Sequence, residues 1–116
     1  MSASARVLVA ADAPMVVGIL GHKLRREGHE VTEARGAAQA AQALRSHGFD
    51  CAVCDPSLVS DVTPMPPWLA IVDGRDDRAG LDAMHLGAAG LVRTPFKPTA
   101  VAAQVEALLS IAGVGA

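Results

Sequence analysis

The sequence contains no tyrosine, a single tryptophan and only 3% aromatic residues. Proteins that bind single-stranded nucleic acid stack the bases on aromatic side chains, so this composition suits that role poorly. The formal net charge is −2, and the ten Lys and Arg residues are scattered rather than gathered in a basic stripe. We therefore expect this domain to bind neither nucleic acid nor an anionic membrane surface.

Long apolar runs are also missing. No stretch approaches the ~20 residues that cross a bilayer. Residues 1–6 lack the charged flank and the apolar run of a secretory signal. These absences predict a cytoplasmic protein without a membrane segment.

Cysteine is scarce, and the two residues present, Cys51 and Cys54, have the Cys-x-x-Cys spacing of redox pairs that open a helix after a strand. Here both fall inside a predicted strand, where residues three apart point to opposite faces. We expect two buried, unreactive thiols.

The most informative stretch covers residues 50–56, Asp-Cys-Ala-Val-Cys-Asp-Pro. Its four consecutive apolar residues are too few for a helix and are typical of a central parallel strand covered on both faces. This strand delivers Asp55 to its carboxyl end. In open α/β sheets, ligands bind beyond the carboxyl ends of the strands.

Strand and helix patterns alternate along the chain, with glycines after the helices. We predict strands over residues 6–10, 30–33, 51–54, 68–72 and 90–93, and helices over residues 14–27, 37–47, 78–86 and 98–111. This order predicts an α/β fold of the flavodoxin-like type, with a five-stranded parallel sheet in the order 2-1-3-4-5. We expect a single domain over residues 1–116, with its core at 6–111.

The connection between the third and fourth strands breaks the pattern. Residues 56–67 include four prolines, so they cannot form a full helix. We expect the third helix to be shortened or missing, which leaves one face of the sheet thinly covered beside Asp55. Met65 and Trp68 are then either hydrophobic plugs or an exposed anchor for a protein partner, and such a face is open to a second copy of the chain.

Three segments carry a family signature. Residues 7–14 read Val-Leu-Val-Ala-Ala-Asp-Ala-Pro, residues 50–55 end in Asp55, and residues 86–96 read Leu-Gly-Ala-Ala-Gly-Leu-Val-Arg-Thr-Pro-Phe. Together they resemble the receiver (CheY-like) domain of bacterial response regulators, over nearly the whole chain. The resemblance implies that Asp55 is the phosphoacceptor. It also implies that Asp12, Asp55 and the main-chain carbonyl of Ser57 are the ligands of a weakly held Mg²⁺.

Four positions depart from the pattern that the resemblance implies. Ala11 replaces one of two acids, and Thr94 replaces the lysine before Pro-Phe. Asp73 replaces a hydroxyl residue that binds the phosphoryl group, and Leu91 replaces an aromatic switch residue. Removing a cation and adding a carboxylate both oppose a doubly charged aspartyl phosphate, at about 4 kcal/mol for each unit charge at ~4 Å and an effective dielectric near 20.

Other interpretations of these residues stay open. Lys97 or Arg93 can stand in for the missing lysine. Asp12 and Asp73 can be turn residues, since aspartate bonds its own backbone in turns, and Asp55 can be a strand-end carboxylate bonded to its loop. The histidines have no metal-ligand spacing, so we expect them at the surface or at helix ends; they are His22, His29, His47 and His85.

The favoured function is a degenerate receiver, or pseudo-receiver, that works in two-component-type signalling through protein–protein contacts with a histidine kinase, an output domain or another signalling protein. The first alternative is a working receiver phosphorylated on Asp55 with Mg²⁺. The second is a flavodoxin-like carrier of cobalamin or flavin, although no histidine follows Asp12 and aromatic residues are few. We expect no enzymatic turnover, because no nucleophile–base pair or Gly-rich phosphate loop is visible.

Overall fold

The computed structural model describes residues 4–46 and 48–113, so the prediction for His47 lies outside the described residues. The strands are β1 (Arg6–Ala10), β2 (Glu30–Ala34), β3 (Cys51–Cys54), β4 (Trp68–Asp73) and β5 (Gly90–Thr94). The α-helices are α1 (Pro14–Arg26), α2 (Ala37–Ser46), α3 (Asp77–His85) and α4 (Pro98–Ile111). Over these described ranges, no helix has both the length and the apolar character needed to cross a membrane.

The strands form one parallel sheet in the order β2-β1-β3-β4-β5, which confirms the predicted fold class. β3 is the middle strand, and its register sets Cys54 beside Ala10 of β1. One residue further on, the N–H of Asp55 donates to the carbonyl of Ala10 over 2.9 Å. This pairing aligns the carboxyl ends of β1 and β3, so Asp55 lies beside the turn that follows β1.

Side-chain alternation along β3 divides the core between two faces of the sheet. Cys51 and Val53 point to the first face, which α1 and α4 cover. Ala52 and Cys54 point to the second face, where α2 and α3 contribute. The two cysteines therefore lie on opposite faces, as their spacing predicts.

Both thiols are buried in these two halves of the core. Burial, with smaller effects from Asp50 and Glu106, raises the pKa of Cys51 from 9.0 to about 12. Burial is also the main cause that raises the pKa of Cys54 from 9.0 to about 12. Because the thiolate is the reactive form, these side chains behave as small apolar residues rather than as a redox pair.

Several element boundaries differ from the sequence prediction by one residue, and three of them have a local cause. β4 and β5 extend to Asp73 and Thr94, which are partners in the parallel register. α3 begins at Asp77 because the side chain of Asp76 caps it, accepting a hydrogen bond from the N–H of Ala79 over 3.1 Å.

The connection from β3 to β4 contains a one-turn 3₁₀ helix, Pro56–Leu58, and no α-helix, so the third helix of the predicted fold is indeed missing. Leu58 and Val59 pack into the second face instead. Trp68 is 3% exposed in the same cluster, and Met65 is half-buried against it. Trp68 is thus a hydrophobic plug, and the alternative that its side chain is an exposed anchor is wrong.

His29 is the one histidine whose position differs from expectation among those that the structure describes. Its side chain is fully buried, whereas His22 and His85 are exposed. The Nδ1 atom of His29 accepts a hydrogen bond from the N–H of Ala5 at 3.3 Å, so Nε2 carries the proton and faces Glu106 Oε1 at 3.1 Å. The ring joins the start of β1 to α4, which is a structural role.

Replacing the plug should destabilise the fold. Trp68→Ala removes a large buried side chain from a face that has one helix fewer, so we expect the free energy of unfolding to fall by about 3–5 kcal/mol. The matched control is Met15→Ala, whose side chain is 74% exposed, with an expected change within about 0.5 kcal/mol. Urea unfolding followed by far-UV circular dichroism measures both. Equal small losses would contradict the plug assignment.

The raised pKa values of Cys51 and Cys54 predict a pH dependence of stability. Between pH 9 and pH 12 the folded chain keeps both thiol protons while the unfolded chain loses them, so the free energy of unfolding declines as the pH rises through this window. Urea unfolding at several pH values should give a shallower decline for the Cys51→Ala/Cys54→Ala double variant. Parallel declines in the two proteins would show that the thiols make no such contribution.

Candidate functional site

The carboxyl ends of the strands form one edge of the sheet, here called the carboxyl edge. Asp12 follows β1, Asp55 follows β3, and Asp73 and Thr94 end β4 and β5. The parallel pairing of these strands brings the four residues to the same edge, as the motifs predict. The edge therefore contains three carboxylates.

Asp55 is half-buried and bonded to its own loop. Its Oδ1 atom accepts hydrogen bonds from the Ser57 N–H at 3.0 Å and from the Ser57 hydroxyl at 2.9 Å. The first of these bonds caps the 3₁₀ turn that follows β3. Over the described ranges, the other oxygen, Oδ2, has no hydrogen-bond partner. The role of the Ser57 hydroxyl was not predicted from the sequence, although a serine two residues after an aspartate is typical of such turns.

Asp73 is an exposed turn residue. Its Oδ1 atom accepts a hydrogen bond from the Arg75 N–H at 2.8 Å, and the Arg75 Nε atom lies 3.6 Å away. This is the local bonding that favours aspartate in turns. The carboxylate nevertheless remains at the carboxyl edge, where it lines the same cleft as Asp55.

The remaining family positions carry side chains without charge. Ala11 is 5% exposed and belongs to the first face of the core. The Thr94 hydroxyl donates to the carbonyl of Val72 over 3.4 Å. Leu91 is half-buried and packs into the second face. None of the three supplies a positive charge or a metal ligand comparable to a carboxylate.

Neither candidate for the missing lysine contacts Asp55. Over residues 4–46 and 48–113, no ion pair joins Asp55 to Arg93 or Lys97. The guanidinium of Arg93 lies beside Gly80 in α3, and Lys97 is exposed at the start of α4. Among the residues that the structure describes, the carboxylate of Asp55 forms no ion pair with a Lys, Arg or His side chain.

The predicted Mg²⁺ ligands form a weak donor set. Asp12 and the main-chain carbonyl of Ser57 would complement Asp55, but Ala11 supplies no second acid at the first turn. One oxygen of Asp55 already accepts two hydrogen bonds. Among the described residues, no three His, Cys, Asp or Glu side chains are grouped so as to hold a metal. A magnesium ion needs six oxygen ligands, so water would fill most of its shell here.

A cleft of about 350 Å³ lies between Asp55 and α3, and we call it the α3 cleft. Residues of the loop after β3 and of the end of β4, including Asp55 and Asp73, line one side of it, and four residues line the α3 side: Ala79, Asp82, Ala83 and Leu86. This wall was not predicted from the sequence. The sequence does contain a pattern that indicates it, because these four residues have the i, i+3, i+4, i+7 spacing of one helix face.

No protein-family model matches the sequence. Among curated proteins, the chain is 28% identical over 117 residues to the response regulator GtcR of Aneurinibacillus migulanus, and the match covers 91% of this chain. It covers 48% of that protein, so the chain spans about half the length of its curated relative.

Many solved structures share the fold. NtrX from Brucella abortus superposes with a TM-score of 0.88 at 21% identity, covering 96% of this chain and 28% of that one. The Francisella response regulator 1452 receiver domain gives a TM-score of 0.85 at 18% identity, covering 93% of this chain and 98% of that one. The chemotaxis response regulator CheY4 of Vibrio cholerae gives 0.76 at 20% identity, with 91% and 99% covered.

The superpositions agree with the observed sheet order β2-β1-β3-β4-β5. The chain therefore has the CheY-like fold of these receiver domains, and its sequence is similar to that of a curated response regulator.

Proposed function

We propose that this receiver domain is a degenerate one that signals through protein–protein contacts, with phosphorylation of Asp55 impaired or absent. The observation that carries the proposal is the charge at the carboxyl edge. Asp12, Asp55 and Asp73 all end there, and no described ion pair brings a Lys or Arg side chain to Asp55.

The physical argument concerns the product of phosphorylation. Converting the carboxylate of Asp55 into an acyl phosphate raises the negative charge at the site, and catalysis of phosphoryl transfer depends on cations that stabilise this charge. The chain has Thr94 where a lysine is expected and Ala11 where an acid would help to hold a metal. The carboxylate of Asp73 adds repulsion across the cleft.

A domain of this kind belongs to two-component-type signalling, and its expected partners are a histidine kinase, an output domain or another signalling protein in the cytoplasm. The curated relative is about twice as long as the region matched. A partner that lies in the same polypeptide is therefore consistent with the proposal, as is a homodimer.

The main alternative is a working receiver that is phosphorylated on Asp55 with Mg²⁺. Its support is that Asp55 ends the central strand with one oxygen, Oδ2, free of hydrogen bonds within the described ranges, and that Asp12 ends the neighbouring strand. The two proposals differ in whether the phosphoryl group is ever transferred, which is directly measurable.

Intact mass separates the two proposals. The purified chain is incubated with acetyl phosphate and Mg²⁺. We expect no phosphorylated species, because Thr94 stands where a lysine would stabilise the product and Ala11 leaves only a weak donor set for Mg²⁺. A canonical receiver domain treated in parallel verifies the phosphodonor. Phosphorylation of the wild-type chain that is absent from Asp55→Ala would overturn the degenerate-receiver proposal.

Restoring the residue types that the resemblance implies at three positions should restore phosphorylation of Asp55. The variant Ala11→Asp/Asp73→Thr/Thr94→Lys adds a metal-binding acid and a cation and removes the opposing carboxylate. We expect it to transfer the phosphoryl group of acetyl phosphate to Asp55 in a Mg²⁺-dependent manner, with release of acetate. The matched control adds Asp55→Asn. A folded triple variant that stays unmodified would show that some feature other than these three residues prevents phosphorylation.

A further inference from the structure

The missing third helix leaves a long groove on the second face of the sheet. The α3 cleft forms one half of it, with a volume of about 350 Å³. A second pocket of about 490 Å³, bordered by the crossover at Met65 and by Trp68, forms the other half. Leu86 borders both, so the two halves meet at the end of α3. We call the whole the crossover groove.

The groove is acidic at one end and is lined by apolar and hydroxyl side chains at the other. Asp55, Asp73 and Asp82 border the end at the carboxyl edge, and no Lys or Arg side chain lines either half. Six of the twelve acidic residues of the chain fall between Asp55 and Asp82, against two arginines, Arg75 and Arg78. The other end is lined by the hydroxyl residues Ser60 and Thr63 together with apolar side chains, namely Val62, Met65, Pro66, Pro67, Trp68 and Leu86.

The two arginines form only weak ion pairs with carboxylates at the acidic end of the groove. Arg75 pairs with Asp73 and Arg78 with Asp82, each at 3.6 Å, and the two arginine side chains are 93% and 85% exposed. Exposed pairs of this kind contribute about 0–1 kcal/mol, so an incoming cation can displace them.

The groove has the length of a short helix. It follows β4 from Asp73 to Trp68, six strand residues that span roughly 20 Å at about 3.3 Å each. An α-helix of about 14 residues has the same length. Leu86, 47% exposed on the groove wall, offers an apolar contact that nothing in the described structure covers.

We propose that the crossover groove is a docking site for a basic amphipathic helix of a protein partner, bound where the fold lacks its own third helix. Its apolar face packs against Leu86, Met65 and the crossover prolines, and one or two Lys or Arg side chains at one end face Asp55, Asp73 and Asp82. This inference rests on the proposed function, for which it supplies the contact surface and the chemistry of the partner.

The probe is a synthetic 14-residue peptide, labelled with fluorescein, that has leucines at i, i+3, i+4 and i+7 and two arginines in its first turn. Fluorescence anisotropy measures its binding to the unphosphorylated chain. We expect saturable binding that weakens with added salt, and roughly tenfold weaker binding of a peptide with glutamates in place of the arginines. Equal binding of the two peptides would refute the charge complementarity.

Matched substitutions in α3 locate the site. Leu86→Glu buries a charge in the docked complex and should weaken binding by at least roughly tenfold. Leu81→Glu makes the same change within α3, at a side chain that is 61% exposed and does not line the groove, and should leave binding unchanged. Asp82→Asn should weaken binding and reduce its salt dependence, whereas Asp77→Asn, also on α3 but outside the groove, should not. Equal effects within either pair would overturn the location.

Self-association is a separate outcome. If the chain dimerises and Leu86→Glu, but not Leu81→Glu, dissociates the dimer in light scattering, the occupant is a second copy of the chain and the basic-helix proposal is wrong. The binding assay contains no phosphodonor. Its failure would therefore reject the groove alone, whereas phosphorylation of Asp55 in the mass measurement would reject the proposed function.

Discussion

The parallel pairing of β1 with β3 is the constraint on which the rest of this structure depends. It sets Ala10 beside Cys54, and the hydrogen bond from the Asp55 N–H to the Ala10 carbonyl continues the pairing past the end of the strand. Because the two strands end together, the turn that carries Asp12 and the loop that carries Asp55 share one edge. Packing on both faces of the sheet buries the middle strand β3, and this burial raises the pKa of both Cys51 and Cys54.

The crossover after β3 determines which surface lies beside the carboxyl edge. Its prolines permit a single 3₁₀ turn, so the second face is closed by Leu58, Val59 and Trp68 instead of a helix. The chain thus keeps a stable core while leaving a groove that begins at Asp55. Under the proposed function, this groove is the surface at which the carboxyl edge binds a partner without phosphoryl transfer.

Local patterns in the sequence were sufficient to predict the fold. The alternation of strands and helices predicted the sheet order, the spacing of Cys51 and Cys54 predicted their opposite faces, and the prolines predicted the missing helix. These features depend on neighbours in sequence. The position of His29 did not follow from such patterns, because its partners Ala5 and Glu106 are 24 and 77 residues away.

The candidate site could be predicted from the sequence only in part, because its side-chain contacts also join residues that are distant in sequence. Motif positions placed Asp12, Asp55, Asp73 and Thr94 at one edge, but not the bonds that each side chain makes there. The Ser57 hydroxyl on Asp55 and the wall that α3 contributes through Asp82 and Leu86 depend on how the loop and the helix pack in three dimensions. The helical spacing of that wall was visible in the sequence, whereas the cleft that it faces was not.

The central claim is that the acceptor edge no longer binds a phosphoryl group. The most direct test is a titration of the isotope-labelled chain with beryllofluoride and Mg²⁺, followed through its backbone amide NMR signals. The account predicts no saturable shifts at Asp55, Ser57 or Asp73, three residues that line the cleft at this edge. Saturable shifts at these amides that disappear in Asp55→Ala would contradict it, because they would show that the edge still accepts the phosphoryl mimic.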